Sequence, residues 1–498
     1  MKPVGTISMF YPCLRDDVIA ILKEIVERAD SFHDIIKGLV EESSNYAIDS
    51  DIGFMTCILA PLYQDCWDAV SSRLEESMLT IPVKIYFEGP SWNIEQLERL
   101  KQSFQDAIES KPDDWILFHL YALGSFGFPN PESSDYVERA KKLAESNPTI
   151  LRFLPFVMYT EVYSLRNEGD IQGTIKKCDE ALEIAREYDD YYWIATLMLA
   201  KANVIKDVDH HKGLEILDEL FSYISNRSGR AEAIYLVAIT MALPYYAMGE
   251  YDMALELLLE DFRITSQFTG SDNLKERYSS ASIIAKVYCH LEMPKEALDW
   301  LYTHSQDLEF LGEMTNSTAA HAFILLDQLE RAAEFLEKTR KAAFLSGYDG
   351  DMGMYQMVQG LYYLASGELS IAEDLLQQAL HLSDPQFQVS VNMCLKSLTR
   401  VEIARVDVKA DNDAESSGPW MTRLRKHAYE KNFKGIMMEY HLLKAEYQTI
   451  IGENEAAKQT LSDALEITDS LTVKTLRKRI ENKLKEIERA PHLKKRKE

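Results

Sequence analysis

The fold is decided by one stretch, YQMVQGLYYLASGELSIAEDLLQQAL, which runs from Tyr355 to Leu380. On both sides of Gly367, apolar residues recur with the period of an α-helix. Gly360 and Ala372 fall where two antiparallel helices would cross, and small residues there let the helices approach closely. Gly367 can adopt the positive φ that ends the first helix. The stretch therefore predicts two amphipathic helices joined by a tight turn.

The same arrangement recurs along the chain at a period of about 40 residues. The residues equivalent to the turn residue Gly367, here called the turn marks, are Gly169, Val208, Gly249, Glu292, Asp327, Gly367 and Gly452. A small residue follows five positions after each mark. These small residues are Thr174, Gly213, Ala254, Ala297, Ala332, Ala372 and Ala457. Such phasing predicts an array of packed helix pairs, with one divergent pair in the double interval before the last mark.

The order of a small residue, an aromatic residue, a turn glycine and two spaced alanines resembles the tetratricopeptide repeat (TPR). The residues that carry the resemblance are Gly360, Tyr363, Gly367, Ala372 and Ala379. It implies an all-α protein, a TPR-like α-solenoid in which antiparallel helix pairs form a right-handed superhelix. It also implies that the first helix of each pair lines a concave groove where a partner binds.

Four regions follow from this pattern. They are a small, mostly helical N-terminal cap (1–90), divergent helical repeats (91–150), the TPR-like array (151–470), and a C-terminal helix with a basic tail (471–498). Within the cap, residues 4–14 favour a strand or an extended segment, and residues 81–86 alternate like a short strand. The divergent pair of the array is expected to consist of a helix over 386–406, an acidic loop, and a second helix beginning near Trp420.

The charge distribution restricts the partners. A formal net charge of −26 disfavours broad binding to nucleic acids or anionic membranes, because both need a positive field. Residues 474–498 differ, with 11 Lys or Arg against 4 Asp or Glu, a net charge of +7. This basic tail suits either a nucleic-acid or nuclear-import patch, or a helix whose basic end complements its own dipole.

The cysteine spacing and the apolar segments of the sequence favour a cytoplasmic protein. Its six cysteines are scattered without CxxC spacing, which is typical of reduced, buried thiols. The N-terminus lacks the apolar segment of a signal peptide, and no apolar run reaches the roughly 18 residues of a membrane span.

The sequence contains no nucleotide-binding, protease, hydrolase or kinase motif, so we expect no catalytic, cofactor or metal residues. The cluster Asp207, Asp209, His210 and His211 offers metal ligands, but its adjacent histidines would point about 100° apart on a helix. Cys289 and His290 are helix neighbours that face different ways, which favours packing over thiol chemistry. A third alternative is an enzyme with its chemistry in residues 1–90, where Cys13, His33 and Asp34 are the candidate residues.

The resemblance to TPR proteins implies a set of first-helix positions that contact the partner. Mapped by the turn marks, this predicted groove set consists of Ser282, Lys286, His290, Ser317, His321, Met354, Met357, Leu361, Leu442 and Glu446. Its two methionines suit an apolar peptide, although they fit packing against the neighbouring pair equally well. Lys286 is the only Lys or Arg in the set, which disfavours the basic clamp of TPR co-chaperones.

These observations predict a non-enzymatic adaptor or scaffold that binds a peptide or protein partner in its groove. The alternative is a peptide- or metabolite-sensing protein that controls transcription or a partner enzyme. That class joins a repeat array to an effector module, and residues 1–90 show no helix-turn-helix signature to serve as one.

Overall fold

The computed structural model describes the chain in segments. They are 32–43, 64–71, 104–110, 132–151, 153–227, 230–267, 271–304, 313–346, 349–383, 388–409, 418–468 and 473–494, with a few further residues within 21–29 and 102–122 and at 471. The expected strands at 4–14 and 81–86 and most of the acidic loop between the divergent helices lie outside these residues, as does Cys13.

All regular structure in the described segments is α-helical. The helices are α1 (Phe32–Ser43), α2 (Gln64–Ser71), α3 (Glu132–Ser146), α4 (Pro148–Leu151), α5 (Leu154–Asn167), α6 (Ile171–Glu187), α7 (Tyr191–Val208), α8 (His210–Arg227), α9 (Arg230–Ala247), α10 (Tyr251–Thr265), α11 (Ser271–His290), α12 (Pro294–His304), α13 (Glu313–Leu325), α14 (Leu329–Ser346), α15 (Asp349–Ala365), α16 (Leu369–Leu382), α17 (Gln388–Lys409), α18 (Pro419–Glu430), α19 (Lys434–Ile450), α20 (Asn454–Thr468) and α21 (Lys474–Lys494). Many helices that follow one another in the chain pack together, such as α5 with α6, α13 with α14 and α15 with α16. The all-α prediction is therefore confirmed, and the sequential contacts are consistent with a helical solenoid.

The turns between paired helices have the backbone conformation that the turn marks predict. Six of the seven marks have a positive φ, between 57° at Asp327 and 85° at Gly452. The seventh, Val208, ends α7, and the next residue, Asp209, is extended with a φ of −136°. Positive φ also occurs at Asp189 and Asn432, in turns that the marks did not include. Non-glycine residues in this region carry a steric cost, which the packed helices on either side must offset.

Small residues face the partner helix at the positions that the repeat pattern of the sequence predicts. A Cβ on Gly360 would lie 2.7 Å from Cγ of Leu376 and 3.3 Å from the carbonyl oxygen of Ala372. A Cβ on Gly213 would lie 2.5 Å from the Cα of Lys206 on the neighbouring helix. Ala372 and its counterparts in the other pairs are fully buried. The close approach of the helices therefore depends on the absence of larger side chains at these points.

The chain divides into two compact units, residues 1–237 with 263–276 and residues 238–262 with 277–498. In the first unit, Phe118 and Ala122 pack with Val137 and Ala140 of α3 and with Val157 of α5. Pairs α5–α6 and α7–α8 continue the serial packing. Asp170 and Asp190 cap α6 and α7, since their side chains accept hydrogen bonds from the backbone N–H groups of Gly173 and Trp193.

The second unit brings together elements that are far apart in sequence. The α9–α10 turn reaches the start of α19, where the N–H of Ile436 donates to the carbonyl of Met248 at 3.3 Å. A Cβ on Gly435 would lie 2.3 Å from the backbone of Gly249. Asp252 of α10 caps α21 by accepting from the N–H and hydroxyl of Thr475, and its contact with the N–H is 2.9 Å. The second unit is therefore closed by contacts between its first and last helices.

No helix within the described residues is both long enough and apolar enough to span a membrane.

The packing of α15 against α16 gives a stability prediction. Gly360→Leu and Ala372→Leu should each lower the free energy of unfolding by roughly 1–3 kcal/mol, because the added side chain has no space between the helices. Equilibrium urea unfolding measures the change. The control is Ala365→Leu, since Ala365 is exposed at the end of α15. Equal stability of Gly360→Leu and this control would contradict the packing.

Candidate functional site

The second unit contains a cluster of charged and aromatic side chains, most of them buried, which we call the polar centre. Its members are Tyr246, Tyr251, His290, Glu292, His321, Lys396, Arg400, Glu439 and Arg479. They come from α9, α10, α11, α13, α17, α19 and α21, and from the turn after α11. Polar groups buried in a helical core need partners, and here they find them in one another.

Two helices that are buried on almost every side hold Lys396, Arg400 and Glu439. Residues Asn392 to Thr399 of α17 are all buried, and so are residues Gly435 to His441 of α19. A helix that is apolar on one face alone could leave its charges in water, but these helices cannot. Lys396 and Glu439 therefore lie inside the unit, with side chains 7% and 1% exposed.

The ion pairs form a chain of contacts across the polar centre. Oε1 of Glu439 accepts from Nζ of Lys396 and from a guanidinium nitrogen of Arg479, each at 3.0 Å. Arg479 also donates to Oε1 of Glu292 at 2.7 Å, and Arg400 donates to the same oxygen at 3.0 Å. Arg479 thus links α21 both to α19 and to the turn after α11.

An aromatic wall adjoins the charges. Nζ of Lys396 lies 5.7 Å from the ring centre of Tyr251, a cation–π distance. The ring of His290 lies 5.1 Å from that of Tyr246 and 5.2 Å from that of Tyr251. The ring of His321 lies 6.1 Å from His290 at nearly a right angle. The wall places two imidazoles beside the buried lysine.

Burial and charge set the protonation states. Burial by itself raises the pKa of Glu439, but Arg479, Lys396 and Arg400 outweigh it and bring the pKa to about 2. Burial lowers the pKa of Lys396, and contact with Glu439 opposes that shift. Burial, with help from Arg400 and other nearby cations, lowers the pKa of His321 to about 3. Burial and the same cations hold the pKa of His290 well below its ordinary value, so both imidazoles are neutral.

Two atoms of the polar centre retain unused hydrogen-bonding capacity. Neither the hydroxyl of Tyr246 nor Nδ1 of His290 has a hydrogen-bond partner among the described residues, although both residues are at least nine-tenths buried. Unpaired polar atoms in a protein interior are costly. These two atoms are therefore hydrogen-bonding groups of the polar centre that the described residues leave unsatisfied.

The structure places the predicted groove set partly inside the protein. Six members are buried: Ser282, His290, Ser317, His321, Met357 and Leu361. Lys286, Met354 and Leu442 are half-buried, and Glu446 is exposed. Ser282 bonds to Thr315 at 2.6 Å, and the hydroxyl of Ser317 lies 3.2 Å from Sδ of Met354. The set therefore contributes two histidines to the polar centre, and its accessible members lie on α11, α15 and α19.

Sequence reasoning missed the charged members of the polar centre. Lys396 and Arg400 lie in the divergent pair, which lacks a turn mark, so no register assigned them to the inner face. Glu439 lies on α19 three residues before Leu442, the first α19 residue in the predicted groove set, so it was not included. A usable signal was present: Lys396 stands in the run NMCLKSL, where a charge among apolar residues of a helix indicates a buried partner.

The other candidate clusters take structural roles. Asp207 pairs with Lys206 at 2.7 Å, and Asp209 caps α8 by accepting from the N–H of Lys212. The thiol of Cys289 donates to the carbonyl of Thr318 at 3.8 Å, and burial raises its pKa to about 12. A thiol with that pKa stays protonated at neutral pH.

Neither a protein-family model nor a curated protein sequence matches the chain.

The polar centre predicts unequal costs for removing its two charges. Glu439→Gln should lower the free energy of unfolding by roughly 3–5 kcal/mol, because Lys396 and Arg479 lose their shared buried partner. Lys396→Met should cost less, because Glu439 keeps Arg479. Urea unfolding of both variants measures the difference. A larger loss for Lys396→Met would contradict the assigned contacts.

Acid should weaken the protein through its neutral histidines. The folded-state pKa of His321, about 3, lies below the ordinary value of 6.5, so the unfolded state binds more protons between them. Stability is therefore retained above pH 6.5 and lost as the pH falls. At pH 5 the loss for His321 alone should be about 2 kcal/mol. Unfolding of wild type and His321→Gln at pH 7 and pH 5 tests this, since the variant should lose less stability. Equal losses would show that His321 does not carry the effect.

Proposed function

We propose that the chain is a cytoplasmic, non-enzymatic adaptor built as a TPR-like α-solenoid, which binds a peptide or protein partner. The observation that supports this most is the serial packing of helix pairs through small residues in phase. In such arrays each pair contacts its neighbours and offers a similar surface, which suits extended binding. The resemblance of Gly360, Tyr363, Gly367, Ala372 and Ala379 to the TPR pattern adds the expected position of that surface.

The accessible members of the predicted groove set define where the partner would bind. Lys286, Met354, Leu442 and Glu446 keep part of their surface exposed, whereas the other six members are buried. The partner would therefore contact a mixed surface with one basic, one acidic and two apolar side chains. Mixed surfaces with adaptable methionine side chains fit peptides or helices.

A second candidate function, the sensing of a small polar metabolite or peptide end, is favoured by the polar centre. The rings of Tyr246 and His290, which carry the unpaired hydroxyl and the unpaired Nδ1, both pack against Tyr251. The cation Lys396 lies 5.7 Å from the ring centre of Tyr251. A ligand held there would contact the helices that close the second unit, so binding would be coupled to the stability of that unit.

Photo-crosslinking tests the adaptor proposal. A photoreactive amino acid at Glu446, introduced into the full chain, should crosslink to one defined protein when the source cell's lysate is added. The matched control carries the same amino acid at Glu334, which is exposed on α14, the second helix of its pair. Crosslinking at Glu446 alone would support the groove. Equal crosslinking at both positions, or none at Glu446, would reject it.

A further inference from the structure

Three side chains of different chemistry meet between α1 and α2. His33 belongs to α1, and Asp65 and Cys66 belong to α2. Nε2 of His33 lies 3.1 and 3.0 Å from the two carboxylate oxygens of Asp65. One donor atom from each of the three residues lies within 4.8 Å of the others. Among the described residues, this is the only group of three His, Cys, Asp or Glu side chains that converges in this way.

Both helices carry buried apolar side chains near the three residues in sequence. They are Ile35, Ile36 and Leu39 on α1 and Val70 on α2. Cys66 and Val70 are four residues apart, so they share the inner side of α2, and the thiol of Cys66 is buried. The side chains of His33 and Asp65 remain 37% and 61% exposed. The cluster therefore has a thiol on its inner side and two donors that solvent can reach.

The distances suit a tetrahedral ion. With zinc bonds of about 2.3 Å to sulfur and about 2.0–2.2 Å to nitrogen and oxygen, neighbouring ligand atoms are about 3.3–3.6 Å apart. The imidazole nitrogen and the carboxylate oxygens, 3.0–3.1 Å apart, are slightly closer than that, so they need to separate by a few tenths of an ångström. The sulfur needs to move by little more than about 1 Å, a distance that a side-chain rotation covers. A set of one sulfur, one nitrogen and one oxygen donor is typical of zinc and cobalt, not of calcium or magnesium.

We propose that His33, Asp65 and Cys66 bind a divalent transition metal ion of the zinc class, with water in the fourth position. Binding replaces the thiol proton of Cys66, which leaves to solvent, and breaks the hydrogen bond from Nε2 of His33 to Asp65 as the Nε2 proton shifts to Nδ1. The freed sulfur, nitrogen and oxygen atoms then form one bond each to the metal. A metal bound by residues of both helices would link α1 to α2 covalently and stabilise their packing. The site is independent of the adaptor function.

Cobalt(II) is the probe, because a cobalt–thiolate bond gives a charge-transfer absorption in the near ultraviolet and a tetrahedral site gives intense visible bands. Wild type, titrated in the full chain, should show both signals and saturate at one equivalent, and zinc should displace the cobalt. Cys66→Ser should lose the charge-transfer band. His33→Gln and Asp65→Asn should keep the band but weaken binding by at least about tenfold.

Two variants control for other ligands. Cys394→Ser removes a buried thiol of α17, and the double change His210→Gln with His211→Gln removes the adjacent histidines of α8. Both should bind cobalt as wild type does. Absence of the thiolate band in wild type, its survival in Cys66→Ser, or unchanged affinity in His33→Gln would each overturn the proposal. Circular dichroism shows whether Cys66→Ser keeps its helices, and His33→Gln, altered at a half-exposed side chain, decides the matter if it does not.

Discussion

The second unit depends on one buried carboxylate. Glu439 is 1% exposed, and a carboxylate removed from water is stable only when cations and hydrogen bonds compensate its lost hydration. Lys396 of α17 and Arg479 of α21 provide that compensation. Arg479 also forms an ion pair with Glu292, which follows α11. The positions of these helices are therefore linked, because moving any of them leaves a charge unpaired.

Backbone contacts at the same end of the unit explain why the charges can meet. The α9–α10 turn approaches α19 so closely that neither Gly249 nor Gly435 has room for a side chain. Asn392 of α17 donates to the carbonyl of Ala247 at 2.6 Å, and Asp252 caps α21. Steric contact fixes the distance, and the ion pairs then select this arrangement over a looser one. This arrangement buries His290 and His321, and burial keeps both imidazoles neutral at physiological pH.

The helix pairs and the turns that join them could be predicted from the sequence. Apolar periodicity predicts the helix pairs, and the need for a positive φ predicts the turn glycines. The sequence alone therefore assigns Gly367 to a turn and Gly360 and Ala372 to the contact between two helices. The contacts that join the first and last helices of the second unit could not be predicted from the sequence. These contacts join residues more than 100 positions apart, such as Asn392 with Ala247, and periodicity carries no information on them. His290 and His321 were consequently assigned to an open groove, yet they lie in the polar centre.

Hydrogen exchange measured by mass spectrometry tests most directly whether the buried charges hold the closed unit together. In wild type, amides of α17 and α19 should exchange slowest, since these helices are buried on almost every side. In Glu439→Gln, exchange should accelerate together in α17, α19, α21 and the turn after α11. Faster exchange confined to α19 would contradict the account, because it would show that the other helices keep their places without the shared carboxylate.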